Sequence, residues 1–481
     1  MLISRRTNHR QTTSANHSYS FGESCRCICK LNVNIEAAGF QLGEADLEVL
    51  RVLLTNTTWW PCASRLAIAF RQAGCRVAAV YPALGHPLRV TRAVGQSFSY
   101  SATNPLQSLA SAIEITKPHI VIPCDDRAVQ HLHDLHSSIL APPGSSLSSA
   151  IENSLGAPAS YSTVTARYQL LQIAREEGLR VPDTEVIACP ESTKSLHALR
   201  AFAFPCVLKT DGSWGGHGVK IVHSAPQAEH VVRHLSQPLS AVRTLKRLIV
   251  DRDPFWLPTW WKAARPTVVA QSYIQGRPAN CAVVCWQGKV LAGIAAEVVS
   301  TQGATGSATV IKIVDGPEML FAAERLAHRL GLSGFFGLDF VIEHMTGAAW
   351  LIEMNPRITP LCHLRFGPGR DLVEALVAQL SGVPARETPP VTENDVIAYF
   401  PQALHFHPNP ELLQLSFQDV PLDDPELVRE LRRLPWPNRS ILARIFGGLR
   451  RKESGENAAG HSFFPEAIQT HKSSCPASRK T

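Results

Sequence analysis

The stretch Phe335–Arg357, FFGLDFVIEHMTGAAWLIEMNPR, constrains this chain more than any other. Apolar residues recur at every second position on either side of His344–Gly347, the pattern of two strands joined by a turn. A turn centred on Thr346 sets Asp339 opposite Glu353. Because side chains alternate along a strand, Phe336, Leu338, Phe340 and Ile342 then share an apolar face with Trp350, Ile352 and Met354, and the other face carries Asp339, Glu353 and Asn355. Two carboxylates facing each other across a hairpin, with Cβ atoms roughly 5 Å apart, repel unless something positive sits between them. Two acids and an amide are hard oxygen donors that suit Mg²⁺, with Mn²⁺ an alternative, and such an ion takes its remaining ligands from water and substrate phosphates. Arg357 lies near the mouth of the same face, where a guanidinium holds phosphate or carboxylate oxygens. The bland alternative is a solvated hairpin face, which would mix Lys and Thr among its acids.

The net charge of +7 invites a nucleic-acid partner, so its location matters. Residues 1–30 hold five Lys/Arg against one Glu, and residues 439–481 hold eight against three. Taking these thirteen basic and four acidic residues from totals of 47 and 40 leaves 34 and 36, a body of −2. The excess is in the tails, and nucleic acid is not the expected partner. No apolar run reaches membrane-spanning length. Cys124 and Cys206 sit in apolar strand-like runs, as buried free thiols do in a reducing cytoplasm, the expected location. Cys25, Cys27 and Cys29 fit neither a zinc knuckle nor a redox pair. Residues 1–48 read as a disordered leader without the apolar core of a secretory signal.

From Arg51 onward, RVLLTNT and CRVAAVYP read as strands around a helix over Pro61–Ala73, and KPHIVIPC as a later strand that ends at Asp125 and Asp126 before the helix RAVQHLHDL. Alternating strands and helices imply a doubly wound parallel sheet, here without the GxGxxG of a dinucleotide fold. Asp125 and Asp126 stand at a strand's carboxyl end, where open sheets place ligands, and can equally be a structural turn. Thr163–Gly178 reads as one helix. In FPCVLKTDGSWGGHGVKIV, Phe204–Val222, Lys209 ends a strand, and glycines 212, 215, 216 and 218 let backbone N–H groups turn toward an anion.

The glycine loop and the paired GLDF and IEMNPR strands together resemble the ATP-grasp superfamily, whose members activate a carboxylate with ATP and pass it to a nucleophile. The resemblance implies an α/β chain in which an N-terminal doubly wound parallel-sheet (pre-ATP-grasp) domain, 49–150, precedes a two-lobed α+β ATP-grasp fold, 151–385, with a lid lobe over about 190–270. It implies that Gly212, Gly215, Gly216 and Gly218 form a flap over the triphosphate, with Lys209 on a phosphate oxygen. Arg167 matches a basic residue that reaches the phosphates, a solvated helix charge being the alternative. Gln271, Ser272 and Ile274 would border adenine, with main-chain groups of Ser272 and Ile274 bonding it, and Lys312 is a further candidate for phosphate or substrate contact. Asp339, Glu353 and Asn355 would hold the metal, and Arg357 with Lys209 would be catalytic.

Two features depart from the family. Val242–Pro266 is an insertion rich in Arg, Lys and Trp; a packed subdomain is favoured over peripheral membrane contact. After Arg357 the chain reads ITPLCHL, without the glutamate that biotin carboxylase-like members use on bicarbonate. Residues 386–450 are expected as a small appendage, with a short basic amphipathic helix over 441–452, and 451–481 as a disordered tail. The expected activity is an ATP-dependent ligase joining a small-molecule carboxylate to an amine or other nucleophile through an acyl-phosphate. The alternatives are a carboxyphosphate or carbamoyl-phosphate-type enzyme and a silent nucleotide-binding regulator. Homo-oligomerisation is left open.

Overall fold

The first four strands of this chain form one sheet, and all but the exposed QSFS of the edge strand at 96–99 meet the condition that strands buried on both faces are apolar at nearly every position. They are β1 (Arg51–Thr55), β2 (Arg76–Tyr81), β3 (Gln96–Ser99) and β4 (Ile120–Pro123), all parallel, in the order β3-β2-β1-β4. Helix α1 (Cys62–Gln72) packs Leu66 and Phe70 on one face. Helices α2 (Pro105–Thr116), α3 (Asp126–His136) and α4 (Ser146–Leu155) bring Leu109, Leu132 and Ile151 to the other. The sheet is therefore doubly wound. The computed structural model describes residues 49–433 apart from 84, 188–198, 200–201, 211–217, 238–265, 304–305 and 407–408. The leader 1–48, the tail 451–481, the helix expected over 441–452 and all but Pro266 of the Trp-rich insertion lie outside the described residues.

The helix expected over 163–178 is two helices, α5 (Tyr161–Thr165) and α6 (Arg167–Glu176). Ala166, at φ −103° and ψ 103°, is extended between them and makes Arg167 the first residue of a new helix. A small antiparallel sheet follows: β5 (Thr184–Ile187), β6 (Cys206–Thr210), β7 (Val219–Val222) and β8 (Val268–Ser272), in the order β5-β8-β6-β7. The helix Ala225–Leu235 packs Ala228 and Val232 on it.

The large sheet runs β13-β12-β9-β10-β11-β14-β15, from β9 (Gly276–Trp286), β10 (Lys289–Thr301), β11 (Ala308–Val314), β12 (Gly334–Glu343), β13 (Ala349–Asn355), β14 (Val396–Ala398) and β15 (Phe417–Gln418). The helix Pro317–Leu330 covers one face through Met319, Ala323 and Leu326. The helix Leu372–Ser381 and α1 cover the other, where the rings of Phe70 and Phe335 meet edge to face at 6.2 Å. Such a pair is worth about 0.5–1.5 kcal/mol beyond its burial and joins the parallel-sheet domain to β12. The region after 386, expected as an appendage, supplies β14 and β15 to this sheet. It also reaches back: buried Asp419 accepts from Arg65 of α1 and from His363 Nε2 at 2.6 Å, and Asp424 accepts from Thr91 Oγ1 at 2.8 Å. Among the described residues no helix is long and apolar enough to cross a membrane.

The β12–β13 hairpin corrects one expectation. Asp339 pairs with Glu353 as anticipated, but Phe340 pairs with Leu351, so Ile352 is an extra residue, a β-bulge. Beyond it the faces exchange: Leu351 and Ala349 are buried beside Phe340, whereas Trp350 and Ile352, expected on the apolar face, are only half-buried. The bulge leaves Ile352 lining the cleft next to Glu353.

Candidate active site

The cleft, about 880 Å³, lies between the small sheet, the β12–β13 hairpin and the carboxyl end of β4. From the small sheet come Lys209, Gln271 and Ser272, followed by Ile274; from α6 Arg167; from the hairpin Asp339, Glu353 and Asn355, followed by Arg357; from the parallel-sheet domain Trp60 and Asp126.

Register explains the acidic centre. Asn280, Asp339 and Glu353 are cross-strand neighbours on β9, β12 and β13. Asn280 Nδ2 donates to Asp339 Oδ1 at 2.6 Å, and Asn355 Nδ2 donates to Asp339 Oδ2 at 3.1 Å. Even so, burial, and then the charge of Glu353, push the Asp339 carboxyl up to about 6. Burial would raise Glu353 too, but Arg167 and then Lys209 outweigh it and hold that carboxyl below its ordinary range. Arg167 donates to Glu353 Oε1 from Nε at 3.2 Å and from Nη2 at 2.7 Å, and its Nη1 reaches the carbonyl of Thr210. Lys209, buried, donates to the carbonyl of the bulged Ile352 at 3.1 Å; burial lowers its ammonium to about 8.

Two carboxylates whose mutual repulsion raises one of them form a site that a divalent cation would relieve, and the donor atoms are hard oxygens. Asp339 and Glu353 fit such an ion directly. The Asn355 carboxamide, as placed, gives its N–H to Asp339 and its oxygen to Arg357 Nη2 at 3.1 Å, so it would join a metal's ligands by turning over.

Arg357 Nε donates to Asp126 Oδ2 at 2.8 Å, and its guanidinium lies 5.8 Å from the centroid of the Trp60 ring. Asp125, the neighbour of Asp126, has a different place. It caps α3 and accepts from Thr57 N at 2.6 Å, Thr57 Oγ1 at 2.7 Å and Ala128 N at 2.9 Å, which fixes the loop after β1.

One expected residue is placed otherwise. Lys312 is in register with Glu297, Ala279 and Phe340, on the sheet face opposite Asp339, and is exposed outside the cleft lining. Ser272 lines the cleft, and its N–H donates to Asp183 O at 2.8 Å. Gln271 is buried with its amide on Thr184 Oγ1 at 3.4 Å, and Ile274 borders the cleft. Gly218 is buried and accepts from Thr210 N at 3.1 Å; Gly212, Gly215 and Gly216 lie outside the described residues.

The sequence reading missed Asn280, although it is a lone amide within the apolar run of β9. It also missed Trp60, which no motif marks.

Residues 166–360 match the family described as ATP-grasp domain. The biotin carboxylase domain of Hydrogenobacter thermophilus 2-oxoglutarate carboxylase, solved with MgADP, ADP and bicarbonate, has a TM-score of 0.50 and 14% identity over 70% of this chain and 71% of that chain. N5-carboxyaminoimidazole synthase from Aspergillus clavatus, in complex with ADP and 5-aminoimidazole ribonucleotide, has a TM-score of 0.50 and 12% identity over 72% of this chain and 80% of that chain. At such identities the likeness is one of fold. No curated protein sequence matches the chain.

Proposed function

Residues 166–360 are an ATP-grasp domain, and from this premise we propose that the chain is an ATP-dependent ligase that activates a substrate carboxylate as an acyl-phosphate for attack by an amine or other nucleophile. The observation that carries the reading is the convergence of Lys209, Arg167, Asp339, Glu353 and Arg357, drawn from four separate stretches, on one cleft. Lys209 and Arg167 supply positive charge to phosphate oxygens. Asp339, Glu353 and, with its amide turned, Asn355 hold Mg²⁺, which when bound offsets the charge of the triphosphate. Arg357 takes the substrate carboxylate and steadies the acyl-phosphate that follows. Gln271 and Ile274 border the base. No side-chain nucleophile is required, because positioning and fixed charge supply the rate enhancement.

The segment after Arg357, Ile358–Leu364, is neutral apart from His363 and offers no carboxylate to deprotonate bicarbonate, which favours an organic carboxylate. The free thiols of the described residues, all buried, suit a reducing compartment and support a cytoplasmic location. The deciding experiment is phosphate release from ATP over pairs of carboxylates and amines, with Asp339→Asn as the blank. Release that depends on both partners supports the ligase; release that needs bicarbonate alone, or nucleotide binding without release under any pair, rejects it.

A further inference from the structure

Among the described residues three carboxylates line the cleft: Asp126, Asp339 and Glu353. Asp339 and Glu353 form the cation site, so Asp126 has no part in the chemistry derived above. A row of hydrogen bonds runs from Asp339 through Asn355, at 3.1 Å, and Arg357, at 3.1 Å, to Asp126, at 2.8 Å. Asp126 thus stands next to the guanidinium assigned to the acyl-phosphate and lines the same cleft. Its Oδ2 accepts from Arg357, and among the described residues its Oδ1 has no partner. The side chain is 33% exposed, open to a ligand without being free in solvent. Placement is fixed, because Asp126 is the first residue of α3 and its neighbour Asp125 is bonded to Thr57 in the loop after β1. The half-buried indole of Trp60, its ring centroid 5.8 Å from the Arg357 guanidinium, supplies an apolar wall.

We propose that Asp126 holds the ammonium group of the acceptor, so that the second substrate is a primary amine that arrives as a cation with its carbon chain along Trp60; the ammonium passes one proton to Asp126 Oδ1, and the neutral amine attacks the acyl carbon as the bond to phosphate breaks, its second proton leaving with the phosphate. A carboxylate already paired with a guanidinium on one oxygen can bind an ammonium on the other, whereas a neutral or anionic acceptor gains nothing there. The segment after Arg357 contains no acid, so the charge recognition comes from the parallel-sheet domain. The inference rests on the ligase reading and deepens it.

The test uses the full chain with ATP and Mg²⁺, short dicarboxylates and amino acids as carboxylates, and two kinds of acceptor. One kind is cationic (ethanolamine, putrescine, lysine); the other is hydroxylamine, uncharged near neutral pH, which traps an acyl-phosphate as its hydroxamate. In Asp126→Asn the KM for the cationic amine should rise at least about tenfold relative to the KM for hydroxylamine, and Asp126→Glu should recover most of that loss. Equal losses with both acceptors would show that Asp126 only positions Arg357, and no change with either would remove it from the site; both outcomes overturn the proposal and leave the ligase intact. A wild-type chain that forms no hydroxamate overturns the ligase reading and this inference together.

Discussion

Asp339 and Glu353 face each other in register across β12 and β13, yet their carboxyl groups are held in opposite directions, Asp339 up to about 6 and Glu353 below its ordinary range. The asymmetry has a local cause: Arg167 lies on Glu353, whereas among the described residues Asp339 is hydrogen-bonded by the amides of Asn280 and Asn355. A folded-state value above the ordinary 3.8 means that the folded chain holds this proton more tightly than the unfolded chain. Stability from Asp339 is therefore present below about 4 and lost as pH rises through about 6. In metal-free buffer at pH 8, Asp339→Asn should have a higher urea midpoint than wild type, and the gap should close below pH 4. A midpoint that is lower at pH 8 would count against the repulsion. Added Mn²⁺ should raise the wild-type midpoint and leave that of the variant in place.

His133 titrates with the opposite sign. It stacks on Tyr161 with ring centroids 4.2 Å apart, and burial, and then His136, lower it to about 4. The folded state prefers neutral imidazole, so its contribution is present above pH 6.5 and lost as pH falls toward 4. Between pH 7 and pH 5 the loss from this one group is about 2 kcal/mol. His133→Phe keeps a ring on Tyr161 and should flatten that part of the stability curve, measured by urea melts at the two pH values.

Gly337 tests how closely the loop after Arg357 is set against β12. A Cβ at this position would come within 2.4 Å of Thr359 Cγ2. Gly337→Ala should cost about 1–3 kcal/mol by overpacking. Thr359→Ser, which deletes the obstructing methyl, should return most of it; a double-mutant cycle without coupling would place the strain elsewhere.

Lys209 is buried at the cleft and, among the described residues, its ammonium bonds only to the Ile352 carbonyl. In Lys209→Met the affinity for MgADP, read by calorimetry, should fall at least about tenfold, the worth of one charge-assisted contact to phosphate. Unchanged affinity would mean that the phosphates lie elsewhere.

What the sequence disclosed and what it hid follow from the range of the interactions. The hairpin was legible because alternation and a turn are local, and so the Asp339–Glu353 pairing could be read from it. The bulge at Ile352 was not, since one extra residue leaves composition and local pattern unchanged while exchanging the faces of Trp350 and Leu351. The break at Ala166 carries neither Gly nor Pro to announce it. Lys312 looked available because its strand was read alone; only its register with Glu297 and Ala279 sets it on the far face. Asp126 meets Arg357 across 231 positions of sequence, and a pair so distant has no local signature.

The buried ion cluster of Arg65, Asp419 and His363 makes the described chain a closed loop. Its last stretch is bolted to its first helix, and the third member of the cluster sits six residues past Arg357, on the segment that borders the substrate end of the cleft. Modular cutting would therefore fail here: a fragment ending near residue 385 would keep every group assigned to nucleotide and metal, yet leave the Arg65 guanidinium without its counter-charge and the His363 ring without its hydrogen-bond acceptor. The frame that carries the candidate site in this molecule is the whole ring of polypeptide rather than the stretch that carries the recognisable motif.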